Sequence, residues 1–257
     1  MERIVIKVGS AVLTENNSIA KERMLNLVSL IANLKKDYDV ILVTSGAVAA
    51  GYSTLKLDKS KQIGKKALAA AGQPILMSGY KKKFDIYDID TAQILLTEDD
   101  FDSRKRTKMF QDIIDAHLAN DILPIINEND ITSTPEQLFG DNDQLSANVA
   151  YATDAELLVI LSDIDGYYDK NPREHKDAQL FKVLKTLPEG ALRDESTPND
   201  AFATGGIVTK LKAADFLMKR GKKMFLCNGF DLEAAKLFLL HGEHTLGTLF
   251  TPAEKQT

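Results

Sequence analysis

Short apolar runs alternate with longer amphipathic segments along the chain. The runs are rich in β-branched residues and cover residues 4–8, 40–43, 122–126 and 157–161. Because they are apolar on both faces, they predict strands of a parallel sheet that is covered by helices on each side. The segments between them have the spacing of amphipathic helices, at about 20–36, 60–82, 103–119 and 142–153.

The same alternation continues towards the C-terminus. It predicts a helix near 207–220, a strand near 223–227, a helix near 231–240 and a closing strand around 248–251. Strands that alternate with helices throughout predict an α/β fold, a three-layer αβα sandwich with a mainly parallel open sheet. The loop-rich stretch 163–206 has too few apolar residues to fold alone, so we expect one domain over residues 1–257. Ser103 and Asp141 are the expected N-caps of two of the helices.

Composition and charge restrict the class of protein. The formal net charge is −5, which counts against a general nucleic-acid binder. Cys227 is the single cysteine, which excludes an internal disulfide or a cysteine-based zinc site and favours a reducing cytoplasm. The longest uncharged stretch, 40–55, is too short and too polar to span a bilayer, and residues 1–7 do not have the features of a signal peptide. The sequence therefore predicts a soluble cytoplasmic protein with no membrane or nucleic-acid partner.

Ligands of such sheets bind beyond the carboxyl ends of the strands. The first two predicted strands each lead into a glycine-containing segment. Residues 7–10 read KVGS, and Lys7 at a buried strand end must reach water or meet an anion. Residues 45–51 read SGAVAAG, which fits either an anion at a helix start or close packing of a helix. Gly46 and Gly51 have the spacing of a phosphate-binding P-loop, but Tyr52 follows where that motif needs lysine, which excludes it.

Three further segments follow later strands and carry polar groups. Residues 127–130 (NEND) and 140–147 (GDNDQLSA) offer donors and acceptors for a zwitterion, although turns and helix caps use the same residues. The acidic turn at 162–172 suits a ribose, an adenine edge, a hydrated metal ion or only solvent. The double glycine at 204–210 precedes a helical pattern and could cradle a polyphosphate, with Lys210 facing the transferred group.

Two other patterns have simpler interpretations. His241 and His244 have metal-like spacing, but with no further ligand beside them a turn or a helix end is the preferred interpretation. The basic run at 104–108 starts a predicted helix and reads as a solvated helix face.

Taken in order, these segments resemble the amino-acid kinase superfamily and, within it, the glutamate 5-kinase family. The resemblance covers essentially the whole chain, and the most telling strings are KVGS (7–10), SGAVAAG (45–51), INEND (126–130), GDNDQLSA (140–147), SDIDG (162–166) and TGG (204–206) with Lys210. Many bacterial members carry a C-terminal PUA domain, and we expect this chain to lack one.

The resemblance implies an activity and a set of ligands. The activity is ATP-dependent phosphorylation of the L-glutamate side-chain carboxylate, with Mg²⁺, to give L-glutamyl 5-phosphate in the first step of proline biosynthesis. It further implies feedback inhibition by proline, a homo-oligomer, and hand-off of the product to glutamyl-phosphate reductase.

The resemblance also assigns residues to roles. Lys7 and Lys210 would contact the phosphates and stabilise the transition state, and Asp143 would orient both lysines. L-glutamate would be bound by Ser45, Asp130, Asp141 and Asn142. ATP would be bound by Lys7, Gly9, Ser162, Asp163, Thr204, Gly205, Gly206, Ile207, Val208, Thr209 and Lys210. No protein ligand of a metal is assigned.

Three rival hypotheses are open at this point. A related amino-acid kinase could act on another acidic amino acid, such as aspartate or acetylglutamate. A non-catalytic amino-acid sensor would have lost charged motif residues, but Lys7, Lys210 and the named acids are all present. A nucleic-acid module would need a basic excess, which the net charge of −5 does not provide.

Overall fold

The computed structural model of the protein describes residues 1–133, 142–192 and 206–253. The strands are β1 Glu2–Val8, β2 Thr14–Glu15, β3 Ser18–Ile19, β4 Tyr38–Val43, β5 Thr91–Leu96, β6 Leu123–Glu128, β7 Leu157–Ser162, β8 Val183–Leu184, β9 Lys223–Asn228 and β10 Thr248–Phe250. The helices are α1 Ser10–Leu13, α2 Lys21–Leu34, α3 Ala47–Tyr52, α4 Gln62–Phe84, α5 Asp99–Asp102, α6 Arg104–Ala119, α7 Asn142–Ala152, α8 Gly206–Met218 and α9 Glu233–His241.

Eight of the strands form one sheet, in the order β5-β6-β4-β1-β7-β9-β10-β8. The described pairings of this sheet are parallel except for the antiparallel pairing of β9 with β10. β1 lies at the centre, and its Lys7 is opposite Val43 of β4 and Ile160 of β7. Successive strands are added on one side of β1 and then on the other, so the topology reverses beside β1. Ligands of open α/β sheets bind at such a reversal.

Helices cover both faces of the sheet, which confirms the predicted αβα sandwich. Ile4 and Ile6 of β1 belong to a core that α2, α4 and α9 close, whereas Val5 faces a second core under α6, α7 and α8. Side chains alternate between the two faces along a strand, so Lys7 points to the same side as Val5. The lysine at the end of β1 is therefore directed towards α7 and α8.

The edge strand β5 was missed in the sequence. Only Leu96 is buried, Gln93 is exposed and the other side chains are partly buried. Thr91 and Gln93 also interrupt the apolar pattern. Ser103 does precede α6, and its carbonyl oxygen accepts the Thr107 N–H at 2.9 Å, but its side chain makes no cap. Asp141, the other expected cap, lies outside the described residues.

The predicted loop-rich stretch is described from residue 163 to residue 192. It contains only the two-residue strand β8 within that range, and β8 joins the main sheet by pairing with β10. Tyr167 stacks on Phe181 with ring centres 5.7 Å apart. This part of the stretch is therefore attached to the same sheet.

The two patterns with simpler interpretations are confirmed. His241 is the last residue of α9, and the ring of His244 packs edge-on against Phe225 and Phe238. The basic residues at the start of α6 are exposed. Within residues 1–133, 142–192 and 206–253, no helix has both the length and the apolar character that crossing a membrane requires.

Candidate active site

Five adjacent strands, of the six that run parallel to one another, bring their carboxyl ends to the same edge of the sheet. β1, β4, β6, β7 and β9 end at Val8, Val43, Glu128, Ser162 and Asn228. The polar segments that follow β1, β4, β6 and β7 in the sequence are therefore neighbours in the fold. α7 and α8 cover the same edge, because both pack on the core face to which Lys7 points.

A buried carboxylate between two lysines lies at the centre of this edge. Lys7 Nζ is 2.5 Å from Asp143 Oδ1, and Lys210 Nζ is 3.0 Å from Asp143 Oδ2. The exposed fraction is 1% for Lys7, 5% for Lys210 and 0% for Asp143. Thr209 Oγ1 also donates to Asp143 Oδ2, at 2.9 Å. Lysines that are 203 positions apart in the sequence thus converge on one side chain.

Asp143 is held in its ionised form by these neighbours. Burial alone would raise the pKa of Asp143, but the charges and hydrogen bonds of Lys7 and Lys210 outweigh burial and hold this pKa below its ordinary value. Two ammonium groups against one carboxylate leave the three side chains with a net positive charge. A cationic group of this kind, fixed and largely shielded from water, is suited to stabilising an anion beside it.

A first cavity of about 370 Å³ opens on the side of β4 and β6. Its lining includes the predicted substrate residues Ser45, Asp130 and Asn142. Ser45 and Asn142 are buried, at 6% and 8% exposed. Desolvation raises the pKa of Asp130, although a backbone hydrogen bond and the charge of Lys66 act in the opposite direction. Most of the described residues that line the cavity are polar, and its volume is sufficient for an amino acid.

A chain of amide hydrogen bonds fixes the orientation of Asn142. Its Nδ2 donates to the Thr44 carbonyl oxygen at 2.5 Å, to Ser45 Oγ at 3.1 Å and to Asn127 Oδ1 at 2.9 Å. Asn127 Nδ2 donates in turn to Gln73 Oε1 at 2.9 Å. Because the Nδ2 of Asn142 is committed to protein acceptors, its carbonyl Oδ1 is the polar atom that it can offer to a ligand.

A second cavity of about 410 Å³ lies on the side of β7 and β9. Lys210 and Gly206 line it together with Asp163, Asp165, Tyr168, Arg173 and Asn228. Asn228 Nδ2 donates to Asp165 Oδ1 at 2.8 Å, which links the end of β9 to the loop after β7. Asn142 lines the first cavity and Lys210 lines the second, so the lysine–aspartate group lies between the two cavities.

The remaining predicted nucleotide residues are placed in different ways. Ile207 lines the second cavity, whereas Val208 packs in the core. Ser162 Oγ donates to Asp163 Oδ1 at 3.1 Å, and the N–H of Gly9 donates to the Leu161 carbonyl oxygen at 3.0 Å. Asp141, Thr204 and Gly205 lie outside the described residues. The functional roles of all these residues stay predictions.

Several lining residues were not singled out from the sequence. Asn228 could have been found from the sequence, because it lies directly at the end of a parallel strand. Arg173 lies one residue beyond the acidic turn that was considered. Lys59 lies in an irregular loop, and no local pattern marks it. Gln73 is a polar residue on the buried face of α4, and this position is the signal that could have found it. Gly51 has a packing role, because a β-carbon there would clash with the Leu68 carbonyl of α4.

Comparisons with known proteins identify the family of the chain. Residues 2–228 match the model of the Amino acid kinase family. The chain is 56% identical to the glutamate 5-kinase of Wolinella succinogenes, with 97% of this chain and 98% of that protein covered. It is 53% identical to the glutamate 5-kinase of Leishmania donovani, with 97% of this chain and 95% of that protein covered.

Among solved structures, an isopentenyl phosphate kinase superposes with a TM-score of 0.67 at 18% identity, covering 97% of this chain and 100% of that one. At that identity the likeness establishes the fold alone. Identities above 50% over nearly the whole length establish more. The chain belongs to the amino acid kinase family and, within it, to the glutamate 5-kinases.

Proposed function

We propose that this kinase transfers the γ-phosphoryl group of ATP to the side-chain carboxylate of L-glutamate, giving L-glutamyl 5-phosphate and ADP. The observation that carries the proposal is the pair of lysine ammonium groups that meet on Asp143 between two cavities. Membership of the glutamate 5-kinases supports the choice of substrate.

The chemistry explains why two cations are needed. The reaction brings a carboxylate against a triphosphate, and two like unit charges about 4 Å apart repel by roughly 4 kcal/mol at an effective dielectric of about 20. Lys7 and Lys210 would offset that repulsion. They would also stabilise the negative charge that spreads over the phosphoryl oxygens in the transition state.

The transfer step needs no proton acceptor. A γ-carboxylate oxygen of glutamate forms a bond to the γ-phosphorus, while the bond from that phosphorus to the bridging oxygen breaks and ADP leaves with the electron pair. The attacking carboxylate is already ionised at neutral pH, because the pKa of a glutamate side chain is about 4.3. Direct in-line transfer without a phospho-enzyme fits these groups.

The first cavity supplies a complement to glutamate. Asn142 and Ser45 are adjacent to the lysine–aspartate group and would hold the reacting end of the substrate. Asp130 would accept a hydrogen bond from the substrate ammonium, since its carboxylate lines the same cavity. The role predicted for Asp141 on that ammonium concerns a residue outside the described ranges.

The second cavity supplies a complement to ATP. Lys210, Thr209 and the start of α8 would face the phosphates, with Lys7 and Gly9 on the other side. Ser162 ends β7 and Asp163 follows it, and both would bind ATP. Thr204 and Gly205 are assigned to ATP by the resemblance alone.

Mg²⁺ is expected with the nucleotide. In the described part of the chain, no group of three or more histidine, cysteine, aspartate or glutamate residues could hold a metal ion. Asp163 and Asp165 line the second cavity and are oxygen ligands of the type that Mg²⁺ accepts. They would supplement the phosphate oxygens and water, and the ion, when bound, neutralises phosphate charge.

A hydroxylamine trap tests the proposal, because only an acyl phosphate gives a hydroxamate. The purified chain is incubated with ATP, Mg²⁺ and hydroxylamine, and with one acid at a time from L-glutamate, L-aspartate and N-acetyl-L-glutamate. We expect hydroxamate and ADP in equal amounts with L-glutamate. A higher kcat/KM for another acid would assign the chain a different substrate, and ADP release without hydroxamate would overturn acyl phosphorylation.

The proposal extends to the cellular context that the family resemblance implies. We propose a cytoplasmic homo-oligomer that catalyses the first step of proline biosynthesis, is inhibited by proline and passes its labile product to a reductase. Repeating the hydroxamate assay with added proline tests the inhibition, and light scattering of the purified chain tests the assembly.

A further inference from the structure

One lysine in the first cavity has no role in the phosphoryl transfer described above. Lys59 lies in the loop between α3 and α4, is half-buried, and lines the cavity that contains Ser45, Asp130 and Asn142. It is the only cation among the described residues that line this cavity. Its position therefore determines where a second anionic group of a ligand could bind.

The ammonium of Lys59 is held in place from two sides. Its Nζ donates to Asn17 Oδ1 in the turn between β2 and β3, and it lies 4.4 Å from the centre of the Tyr52 ring. Both Asn17 and Lys59 line the cavity. A cation fixed by an amide oxygen and an aromatic face loses less side-chain entropy when it binds an anion than a freely moving lysine does.

The charges around the cavity match those of an amino acid. Glu128 and Asp130 provide carboxylates, and Lys59 provides a positive charge. The reacting carboxylate of the substrate must lie at the inner end of the cavity, next to the lysine–aspartate group. Asn142 lines that end, and it directly precedes Asp143 in the chain. The α-carbon of the substrate, with its ammonium and its second carboxylate, is then directed towards the less buried part of the lining, which includes Asn17 and Lys59.

We propose that Lys59 is a specificity-determining residue that binds the α-carboxylate of the substrate. The inference rests on the proposed function and deepens it, because it restricts the substrate to acids that carry a free carboxylate on the α-carbon. A competing interpretation is purely structural, namely that Lys59 ties the loop to the β2–β3 turn through Asn17.

A second lysine in the same loop provides a matched control. Lys56 Nζ also lies 4.4 Å from the centre of the Tyr52 ring, and it donates to the Tyr52 carbonyl oxygen at 2.6 Å. Lys56 is exposed and does not belong to the lining of the cavity. Lys56→Met therefore removes a cation from the same aromatic ring while the lining of the cavity stays intact.

The experiment compares L-glutamate with isoglutamine, in which the α-carboxylate is an uncharged amide and the reacting carboxylate is unchanged. The apparent affinity for isoglutamine is measured as a KM if it is phosphorylated, and otherwise as a Ki against glutamate. The wild-type chain, Lys59→Met, Lys59→Arg and Lys56→Met are assayed. For Lys59→Met we expect the glutamate KM to rise about tenfold, as for loss of one charge-assisted contact at a half-buried site.

In Lys59→Met, the affinity for isoglutamine and kcat should stay within about twofold of the wild type. The ratio of the affinity for glutamate to that for isoglutamine should therefore fall about tenfold, as the glutamate KM rises. Lys59→Arg should keep most of the preference, and Lys56→Met should behave as the wild type. If Lys59→Met weakens both ligands equally, or changes neither, the assignment of Lys59 is wrong while the proposed function stands. If the wild-type chain phosphorylates no acid in this assay, the proposed function fails and the assignment of Lys59 fails with it.

Discussion

The two cavities on either side of Asp143 are built differently. Side chains that end strands or start a helix form the inner wall of the first cavity, and Ser45, Asn127 and Asn142 are all less than a tenth exposed and hydrogen-bonded to one another through Asn142. The second cavity is lined largely by a loop in which Asp163, Asp165 and Arg173 are exposed.

The difference fits the ligands that are proposed for the two cavities. A small zwitterion offers few atoms, so discrimination depends on dipoles that are fixed before the ligand arrives. A nucleoside triphosphate is large and highly charged, so an exposed loop and the start of a helix are adequate. We therefore expect substitutions in the first cavity to change glutamate parameters selectively, and substitutions at the lysine–aspartate group to affect the whole enzyme.

The largest effect is expected at the boundary between the cavities. Asp143→Ala leaves two buried ammonium groups without their shared carboxylate and should lower the free energy of unfolding by about 3–5 kcal/mol. Chemical denaturation measures this loss. Asp163→Ala, which removes an exposed acid of the second cavity, is the control and should change stability by about 0.5 kcal/mol or less.

The stabilising effect of Asp143 should also depend on pH. Its pKa is lowered in the folded state, so its contribution is complete above the unfolded value of 3.8 and is lost as the pH falls below it towards the folded pKa. The stability difference between the wild type and Asp143→Ala should therefore narrow on acidification below pH 3.8. A difference that stays constant there would contradict the assignment of an ionised Asp143.

The next largest effect concerns catalysis. Lys210→Ala should lower kcat by about 10²–10³, as for loss of one preorganised charge-stabilising group, while the KM values change less. Lys212→Ala is the control, because Lys212 is an exposed lysine on the same helix. Steady-state kinetics with saturating ATP and glutamate measures both variants, and a Lys210→Ala enzyme with near-normal kcat would remove Lys210 from the transition state.

A selective effect is expected for Asp130→Asn in the first cavity. It should raise the glutamate KM about tenfold, because an ionised acceptor of the substrate ammonium is replaced by a neutral one, and the ATP KM should not change. A selective loss of ATP affinity, with the glutamate KM unchanged, would mean that the ligands of the two cavities have been exchanged.

The pH dependence of the same variant provides a further test. Desolvation raises the pKa of Asp130, so its carboxylate takes up a proton at a higher pH than an ordinary aspartate does. The glutamate KM of the wild type should therefore rise as the pH falls through that raised pKa. The KM of Asp130→Asn should rise less steeply, because only glutamate itself, with a side-chain pKa of about 4.3, then titrates. Equal slopes for the two enzymes would assign the titration to another group.

The sequence predicted the position of the site better than its internal contacts. Buried parallel strands are continuous apolar runs, and their carboxyl ends share one edge. The segments after β1, β4, β6 and β7 could therefore be grouped from the sequence alone. The edge strand β5 was missed because Thr91 and Gln93 break its apolar pattern, as expected for a strand that is covered less completely.

The contacts that depend on long-range packing could not be read from the sequence. The resemblance suggested that Asp143 orients two lysines. In the structure each lysine donates to a different carboxylate oxygen of Asp143, and this arrangement depends on how α7 and α8 pack over β1. Lys59 follows no periodicity or motif, and the position of Gln73 on the buried face of α4 does not reveal its hydrogen-bond partner. Each reaches the first cavity or its hydrogen-bond chain through the packing of its loop or helix beside a strand that is distant in the sequence.

The smallest effect is expected from Gln73, which acts on the first cavity only through other side chains. Gln73→Leu removes the acceptor of Asn127 Nδ2, so the Asn127 amide can turn and present a donor to Asn142 Nδ2. With the orientation of Asn142 no longer fixed, the glutamate KM should rise about fivefold, the equivalent of one neutral hydrogen bond, while kcat and the ATP KM stay near their wild-type values.

The far end of the amide chain separates this positioning role from a general loss of packing. Gln73 Nε2 donates to Gln93 Oε1 at 3.2 Å, and Gln93 is exposed on the edge strand. Gln93→Leu leaves the bond between Gln73 and Asn127 intact, so its glutamate KM should equal that of the wild type. If Gln93→Leu and Gln73→Leu raise the KM equally, or if Gln73→Leu affects ATP and glutamate alike, the orientation of Asn142 does not depend on Gln73.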